Sequence, residues 1–461
     1  MAAPARYQCH AQHKVHDKGQ CIGQCADVLV AEHEGKRIGF GDVAADAIRV
    51  KPPSVTQLRE PGSGRLVGEA LPRLDLPAKS DGSFRFASDI RLPRMIHASV
   101  RIAPPAGRLT GFSRDAARQQ HGLIDLVVRE GWLAALGQTW WAADNALARG
   151  APRFSGTDSR DINLRLAEQL ESGDTDRLFE RGDYSSVTKG STPLAATYSI
   201  APTPHHSLQA PAAVARFTGN RLEVWAATQI PDLARSVAAK AGGVAEDQVA
   251  LYPMPVGDGS GSAFQLDVIG IVVELAKHAG RPVSLVFPPA TAQNQDAVRS
   301  PMLARMSALP SPEGTLAAWG GRFVGAPGLS AELALAQGTK RPPFRPGLAP
   351  PYGIPAIRID SIDAGLPIHT GYMRGGDEAM IAFATESFID EMARVAGAEP
   401  LAFRMGMPGR SSSQTCATLV SPAAARMISP ICWRTVLAPR ARSAMRCGSV
   451  IFASSIFTHR L

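Results

Sequence analysis

The chain has 461 residues, 45% of them apolar and 20% charged, with 43 glycines and 36 prolines, a composition that suits a loop-rich globular protein of two or three domains. Its net charge of +8 sits in the last stretch: seven arginines and no acidic residue lie from Met407 onward, leaving 42 basic and 41 acidic residues elsewhere. The body therefore lacks the basic face that a nucleic-acid partner requires.

Residues 1–67 read as an N-terminal remnant and linker. Cys9, Cys21 and Cys25 stand in "CHAQHKVHDKGQCIGQC", whose spacings match no tetrahedral zinc module, and a polar, frayed N-terminus is expected there. The other cysteines, Cys416, Cys432 and Cys447, lie in the tail, so the body depends on no disulfide and no iron–sulfur cluster of its own. No secretory apolar segment follows Met1, and no apolar run approaches the ~20 residues needed to cross a bilayer. No transmembrane segment is expected, and as written the chain reads as soluble and cytoplasmic. A strand pair and a short helix are expected in "DVLVAEHEGKRIGF" and the residues after it. "KPPSVTQLREPGSG" is a linker by its proline and glycine content.

Residues 68–154 form a compact α+β unit. Its strand-like pieces are FRFASDI and MIHASVRI, its helix is TWWAADNALARG, and a turn falls at Ser80-Asp81-Gly82. Trp140 and Trp141 are expected in the core or at an interface. Residues 155–190 are polar and read as a surface excursion. From about 191 to 406 the pattern alternates. ATYSI, AVARFTG, RLEVWAATQ and QVALYPMPV read as strands, PDLARSVAAKAGG and QLDVIGIVVELAKHAG as helices, and RPVSLVF as a closing strand. That order implies parallel pairing in a layered domain. Residues 290–350 look loop-rich. The strongest helix follows, with Met380, Phe383, Ala384, Phe388, Met392 and Val395 on one face and Asp377 and Glu378 in its first turn. Glu386 and Glu391 on it read as surface or interdomain partners. The segment 407–461, with nine serines, three cysteines and no periodicity, resembles a GC-rich gene read out of frame. It is expected to be foreign to the fold.

The stretch "VGDGSGSAF" separates a strand from a helix. A dinucleotide fingerprint fails, because Ser262 occupies the third glycine position and no acid follows the next strand; a phosphate-binding P-loop fails for want of Gly-Lys-Ser/Thr. A close backbone approach and N–H donors at a helix start remain, suited to an oxyanion-rich ligand or to a tight structural turn. The loop pair His205-His206 reads as ordinary rather than metal-binding.

Several stretches together resemble the molybdopterin-binding large subunit of the xanthine dehydrogenase/aldehyde oxidase family, and within it the isoquinoline oxidoreductase β-subunit type. "GEALPRLDLPAKSDGSFRFASDIRLPRMIHASVR" looks like that family's α/β hammerhead domain, and "TWWAADNAL" is similar to its Trp-Trp-Ala-Ala helix. "LEVWAATQ" and "GYMRGGDEAMIAFATESFIDEMARVAGAEPLAFRM" resemble two further segments, so the likeness spans roughly residues 22–407. The fold class implied is α+β, a hammerhead-like domain (68–154) followed by part of a molybdopterin-binding domain (191–406). The chemistry implied is hydroxylation of an aldehyde or N-heterocycle carbon. The cofactor would be molybdopterin with molybdenum, in the cytosine dinucleotide form. The partner would be a small subunit carrying two 2Fe-2S clusters.

Residue by residue, the resemblance assigns cofactor contacts to Gln229, to Gly257, Gly259, Ser260 and Gly261 in the glycine loop, and to Arg374. It implies no metal-ligating residue here, and no catalytic residue, since the family's catalytic glutamate belongs to a Gly-Glu-Pro segment this chain does not reach. There are departures from the family pattern. Asp258 replaces a glycine of the loop, Ser260 its phenylalanine, Ser262-Ala263 its basic pair, and Gln209 the glutamate of a His-x-x-Met-Glu-Pro stretch. Two readings follow. One is a hydroxylase fragment, truncated at both ends and inactive alone; the other is a scaffold or remnant that holds no cofactor.

Overall fold

The computed structural model describes residues 30–33, 36–51, 69–156, 162–328, a few positions between 330 and 350, and 351–409. The cysteine-bearing N-terminus, most of the 51–64 linker and the arginine-rich tail lie outside the described residues. The chain divides into two compact units, Met1–Ser80 and Asp81–Leu461. In the first, strands Val30–His33 and Lys36–Gly39 form an antiparallel hairpin that runs into the helix Phe40–Ala47, as the sequence implies.

The second unit is built on two sheets. The first contains β1 (Ile96–Ile102), β2 (Leu123–Val128) and β3 (Trp132–Gly137), while β4 (Asp176–Arg181) and β5 (Leu194–Ile200) belong to the other. Next come β6 (Ala212–Thr218), β7 (Arg221–Ala227), β8 (Val249–Met254) and β9 (Val283–Val286), all in the first sheet. The seven strands lie in the order β8-β7-β6-β9-β1-β3-β2, with β7/β8 and β9/β1 parallel and the other neighbours antiparallel. β10 (Met302–Pro310), β11 (Leu316–Gly325) and β12 (Ala356–Asp363) complete the five-stranded sheet, order β4-β12-β11-β10-β5. The seven-stranded sheet thus takes strands from both stretches that the sequence separates at 154 and 191.

Strand alternation distributes the helices. In β3, Leu133 and Ala135 pack with α1 (Trp140–Gly150), whereas Ala134 and Leu136 join the core on the opposite face. That opposite core is closed by α3 (Pro231–Gly242) and α4 (Asp267–Ala279), and α2 (Ile162–Ser172) packs Leu166 and Leu170 on one face of the five-stranded sheet. α1 starts at Thr139, whose hydroxyl accepts from the Ala142 amide; α3 starts with Pro231 and ends at Gly243 in the left-handed region. After the short α5 (Pro289–Asn294), α6 (Gly376–Val395) covers the other face of the five-stranded sheet with Met380, Ala384, Phe388 and Met392.

The structure corrects several expectations. FRFASDI is not a strand: Ala87–Asp89 is a 3-10 turn. The 155–190 stretch is not a surface excursion, because Leu166 and Leu170 are buried and β4 pairs with β12. Among its charges, Arg177 pairs with Glu180 and with the buried Asp360. The loop-rich 290–350 region contains β10 and β11, whose alanines, methionines and glycines have weak strand preference in isolation. At Gly320 in β11 a Cβ would stand 2.4 Å from the Ser307 hydroxyl, so a side chain there would displace Ser307. On α6 the buried face is rotated. Ile381, Thr385, Ile389 and Ala393 are buried with the expected residues, whereas Phe383 is 47% and Val395 61% exposed. Trp140 donates its indole N–H to the Val286 carbonyl, but Trp141 is 66% exposed.

Candidate functional site

The glycine loop joins β8 to α4 through a 3-10 turn, Ser262–Phe264. Its first glycine, Gly257, lies against Gln209, and a Cβ there would meet that side chain at 2.5 Å. Its last, Gly261, has φ +130, and a Cβ would fall 2.1 Å from the Tyr372 carbonyl oxygen. Only glycine suits such a position. Gly259 has open space around it.

Asp258 turns onto its own loop. Its Oδ1 accepts from the Ser260 amide at 2.8 Å and from the Ser260 hydroxyl. Burial raises its carboxyl, but hydrogen bonds from Ser260 and Ser207 and the nearby His205 outweigh that and hold it below the usual carboxylate value. The loop therefore carries a negative charge that its own donors already satisfy.

Three segments distant in sequence meet at this turn. The Arg374 amide donates to the Ser260 carbonyl at 2.5 Å, and the Phe264 and Tyr372 rings meet edge to face at 5.4 Å. The Gln229 amide, just beyond β7, donates to the Ala263 carbonyl at 3.1 Å. The structure thus brings Gln229, Gly257, Gly259, Ser260, Gly261 and Arg374 into one neighbourhood. The Gln229 Oε1 and the Gln209 Nε2 are buried there without a hydrogen-bond partner. The Arg374 residue is exposed, and among the described residues no ion pair or hydrogen bond engages its guanidinium. At the start of α6, burial and the Glu378 charge push the Asp377 carboxyl up to about 6.

His205 and Asp296 are two residues that sequence reasoning missed. Their side chains are 1% and 9% exposed. The His205 Nδ1 lies 2.7 Å from Asp296 Oδ1, and its Nε2 lies 2.7 Å from the Tyr372 carbonyl. Asp296 also accepts from the His205 amide at 2.5 Å and from Gln265 Nε2 at 2.9 Å. Burial opposes its ionisation, but the bonds and charge of His205 prevail and hold its carboxyl low. His205 stands at the histidine of the His-x-x-Met-Glu-Pro stretch whose glutamate position is Gln209, the one signal that could have found it; no spacing in "ATAQNQDAVRS" signals Asp296.

The space beside the loop is small. A cavity of about 50 Å³ is lined by Ser207, Gln209, Gly257, Asp258, Ser262 and Gln265 among others. One of about 260 Å³ lies beyond Tyr372, with Arg299, Asp377 and Glu378 in its wall. A larger cleft, about 930 Å³, opens beside Trp132, Phe264 and the first turns of α4, and none of the expected site residues lines it. Among the described residues no cluster of three or more His, Cys, Asp or Glu could hold a metal ion, and no helix is long and apolar enough to cross a membrane.

Comparison with known proteins gives these parts a family. A subunit of the nicotinate dehydrogenase of Pseudomonas putida is 27% identical over 368 residues, which cover 74% of this chain and 30% of that protein. The beta subunit of the isoquinoline 1-oxidoreductase of Brevundimonas diminuta is 26% identical over 399 residues, 78% of this chain and 50% of the relative. The chain therefore spans half or less of the length of these relatives. Among solved structures, the aldehyde oxidoreductase of Desulfovibrio gigas has a similar fold, with a TM-score of 0.63 at 17% identity over 77% of this chain and 45% of that one. Quinoline 2-oxidoreductase of Pseudomonas putida 86 gives 0.59 at 17% identity, covering 77% and 50%. The molybdopterin cofactor-binding domain family matches residues 166–406, a span that contains Gln229, the glycine loop and Arg374. Over that span the chain belongs to the molybdopterin cofactor-binding domain family.

Proposed function

We propose that this chain forms one wall of a molybdenum–pterin site in an oxidoreductase that hydroxylates aldehydes or N-heterocycles. The observation that carries the reading is the meeting of Gln229, the glycine loop and Arg374, with the Gln229 side-chain oxygen buried and unpartnered. Oxygen and nitrogen of a glutamine amide exchange places by a simple flip, so Gln229 can present either a donor or an acceptor to a bound group. The unpaired Arg374 guanidinium suits anionic phosphate or pterin oxygens. Gly261 lets the loop backbone approach without a side chain in the way. When bound, the cofactor would supply the oxygen transfer and accept the substrate's electrons. The chain's own residues bind and orient it.

The walls described here enclose about 50 Å³ beside the loop, far below the ~300–1,000 Å³ of a typical cofactor or ligand site. A second wall from another region or chain is part of the proposal, as are the base that activates the attacking oxygen and a 2Fe-2S subunit that takes the electrons. The nicotinate and isoquinoline relatives are each one subunit of a larger enzyme, which supports an assembly of several chains. The cytosine dinucleotide form and inactivity of this chain by itself belong to the same proposal. Acid–iodine oxidation of the purified protein tests the reading: fluorescent pterin is expected from the parent and is lost in Gln229→Ala.

One observation favours a second reading. The ionised Asp258 lies inside the loop that would face an anionic group, which suits a module that keeps the scaffold without the cofactor. Absence of pterin in the parent protein would select it.

A further inference from the structure

We propose that His205 is a buried imidazolium that ties the Tyr372 turn, through Nε2–H, to the Asp296 carboxylate, through Nδ1–H, making it a positioning residue beside the glycine loop. Both ring nitrogens face oxygen at 2.7 Å: Nδ1 an Asp296 carboxylate oxygen, Nε2 the Tyr372 carbonyl. A carbonyl only accepts, so Nε2 must carry a proton. On the other side, Asp296 Oδ2 is taken by the His205 amide and Oδ1 also receives Gln265. A single proton shared along Nδ1 and Oδ1 resides on the imidazole, whose ordinary affinity for it exceeds a carboxyl's by more than two pKa units. Rotating the ring by half a turn would replace both bonds with C–H contacts. Hence the pair is His⁺–Asp⁻, paired and hydrogen-bonded as buried charges must be.

Among the described residues, Asp296, on the segment after α5, bonds this imidazolium, and Asp258, on the glycine loop, feels its charge. The neighbouring His206 is exposed and meets Gln293 instead. Asp258 is therefore balanced from behind by a fixed positive charge. The carbonyl that His205 holds is the one against which Gly261 packs, and the same turn places the Arg374 amide on Ser260. Loss of the Nδ1 proton removes the donor to Asp296 and the charge that strengthens the Nε2–H bond to Tyr372, so the turn loosens from the Asp296 segment. The charge state stands without any cofactor; its consequence for cofactor binding rests on the proposed function.

The test uses the full chain labelled with ¹⁵N-histidine, followed by long-range ¹H–¹⁵N correlation from pH 6 to 9. His205 is assigned by its absence in His205→Gln or, should that variant not fold, by its displacement in Asp296→Asn. Both His205 nitrogens are expected to remain protonated at pH 8, where exposed histidines are neutral. Asp296→Asn should bring the titration down towards theirs. A neutral tautomer at pH 7, or a titration unmoved in Asp296→Asn, overturns the imidazolium. Amide exchange in residues 370–376, corrected for intrinsic rate and referenced to α4, should rise about tenfold as His205 loses its proton. A flat profile overturns the tie. Failure to find molybdenum or pterin would bear on the proposed function and leave these outcomes intact.

Discussion

The backbone amide of Arg374 donates to the carbonyl of Ser260 at 2.5 Å, fastening the turn before α6 onto the glycine loop before α4. Each of these helices packs on a different sheet, so this bond and its neighbours tie the two sheets' loops together at the candidate site. Backbone bonds thus shape the site as much as side chains do.

Glycine substitutions separate the two kinds of loop position. Gly261→Ala places a methyl group on the Tyr372 carbonyl at an unfavourable φ, and should cost about 2 kcal/mol or more. Gly259→Ala meets open space and should stay within about 0.5 kcal/mol of the parent. Urea unfolding of both variants checks the pair; equal losses would contradict the close approach.

The rotated face of α6 makes a second comparison. Phe388 is buried against Trp319, with ring centroids 5.2 Å apart. Phe388→Ala should cost about 3–5 kcal/mol. Phe383, although it touches Tyr198 edge to face, is half exposed, and its alanine variant should cost about 1 kcal/mol. Thermal unfolding that ranks them the other way would restore the face expected from periodicity alone.

Asp377 links stability to pH. Burial and the Glu378 charge push its carboxyl up to about 6, above the ~3.9 of an unfolded chain. The folded state thus holds this proton more tightly, and stability declines as pH rises from about 4 through 6. Asp377→Asn removes the decline. It should be more stable than the parent by on the order of 1 kcal/mol at pH 8, net of a lost helix-dipole contact, with no such gain near pH 4. Denaturant melts at the two pH values decide it; a pH-independent difference would rule the raised carboxyl out.

What could be read in the sequence follows how locally each feature is encoded. β7 carries its own alternation, and α3, α4 and α6 carry helical periodicity with Gly243, Gly280 and Gly397 at or just past their C-terminal ends; all form. β10 and β11 draw their stability from neighbours: Ala304 and Ala308 are poor strand formers, buried only because β5 and α6 cover them. The rotation on α6 arises because Ile381 and Ile389 compete with Phe383 for the sheet, and periodicity gave the exposed ring too much weight. The glycine loop shows in its own pattern between a strand and a helix, whereas Gln229 and Arg374 enter through family resemblance, and no local pattern places the three together. His205 and Asp296 lie far apart in the chain, and their bond is a property of the folded loops alone.

The central claim is that Gln229, the glycine loop and Arg374 hold a molybdenum–pterin group. The most direct measurement is the molybdenum content, by mass spectrometry, of the full chain purified from a molybdenum-replete host that makes the cofactor, beside Gln229→Ala and Arg374→Ala. The account predicts near-equimolar molybdenum in the parent and a marked loss in both variants, with folding preserved. A parent protein free of molybdenum, or variants that retain it fully, would contradict the claim.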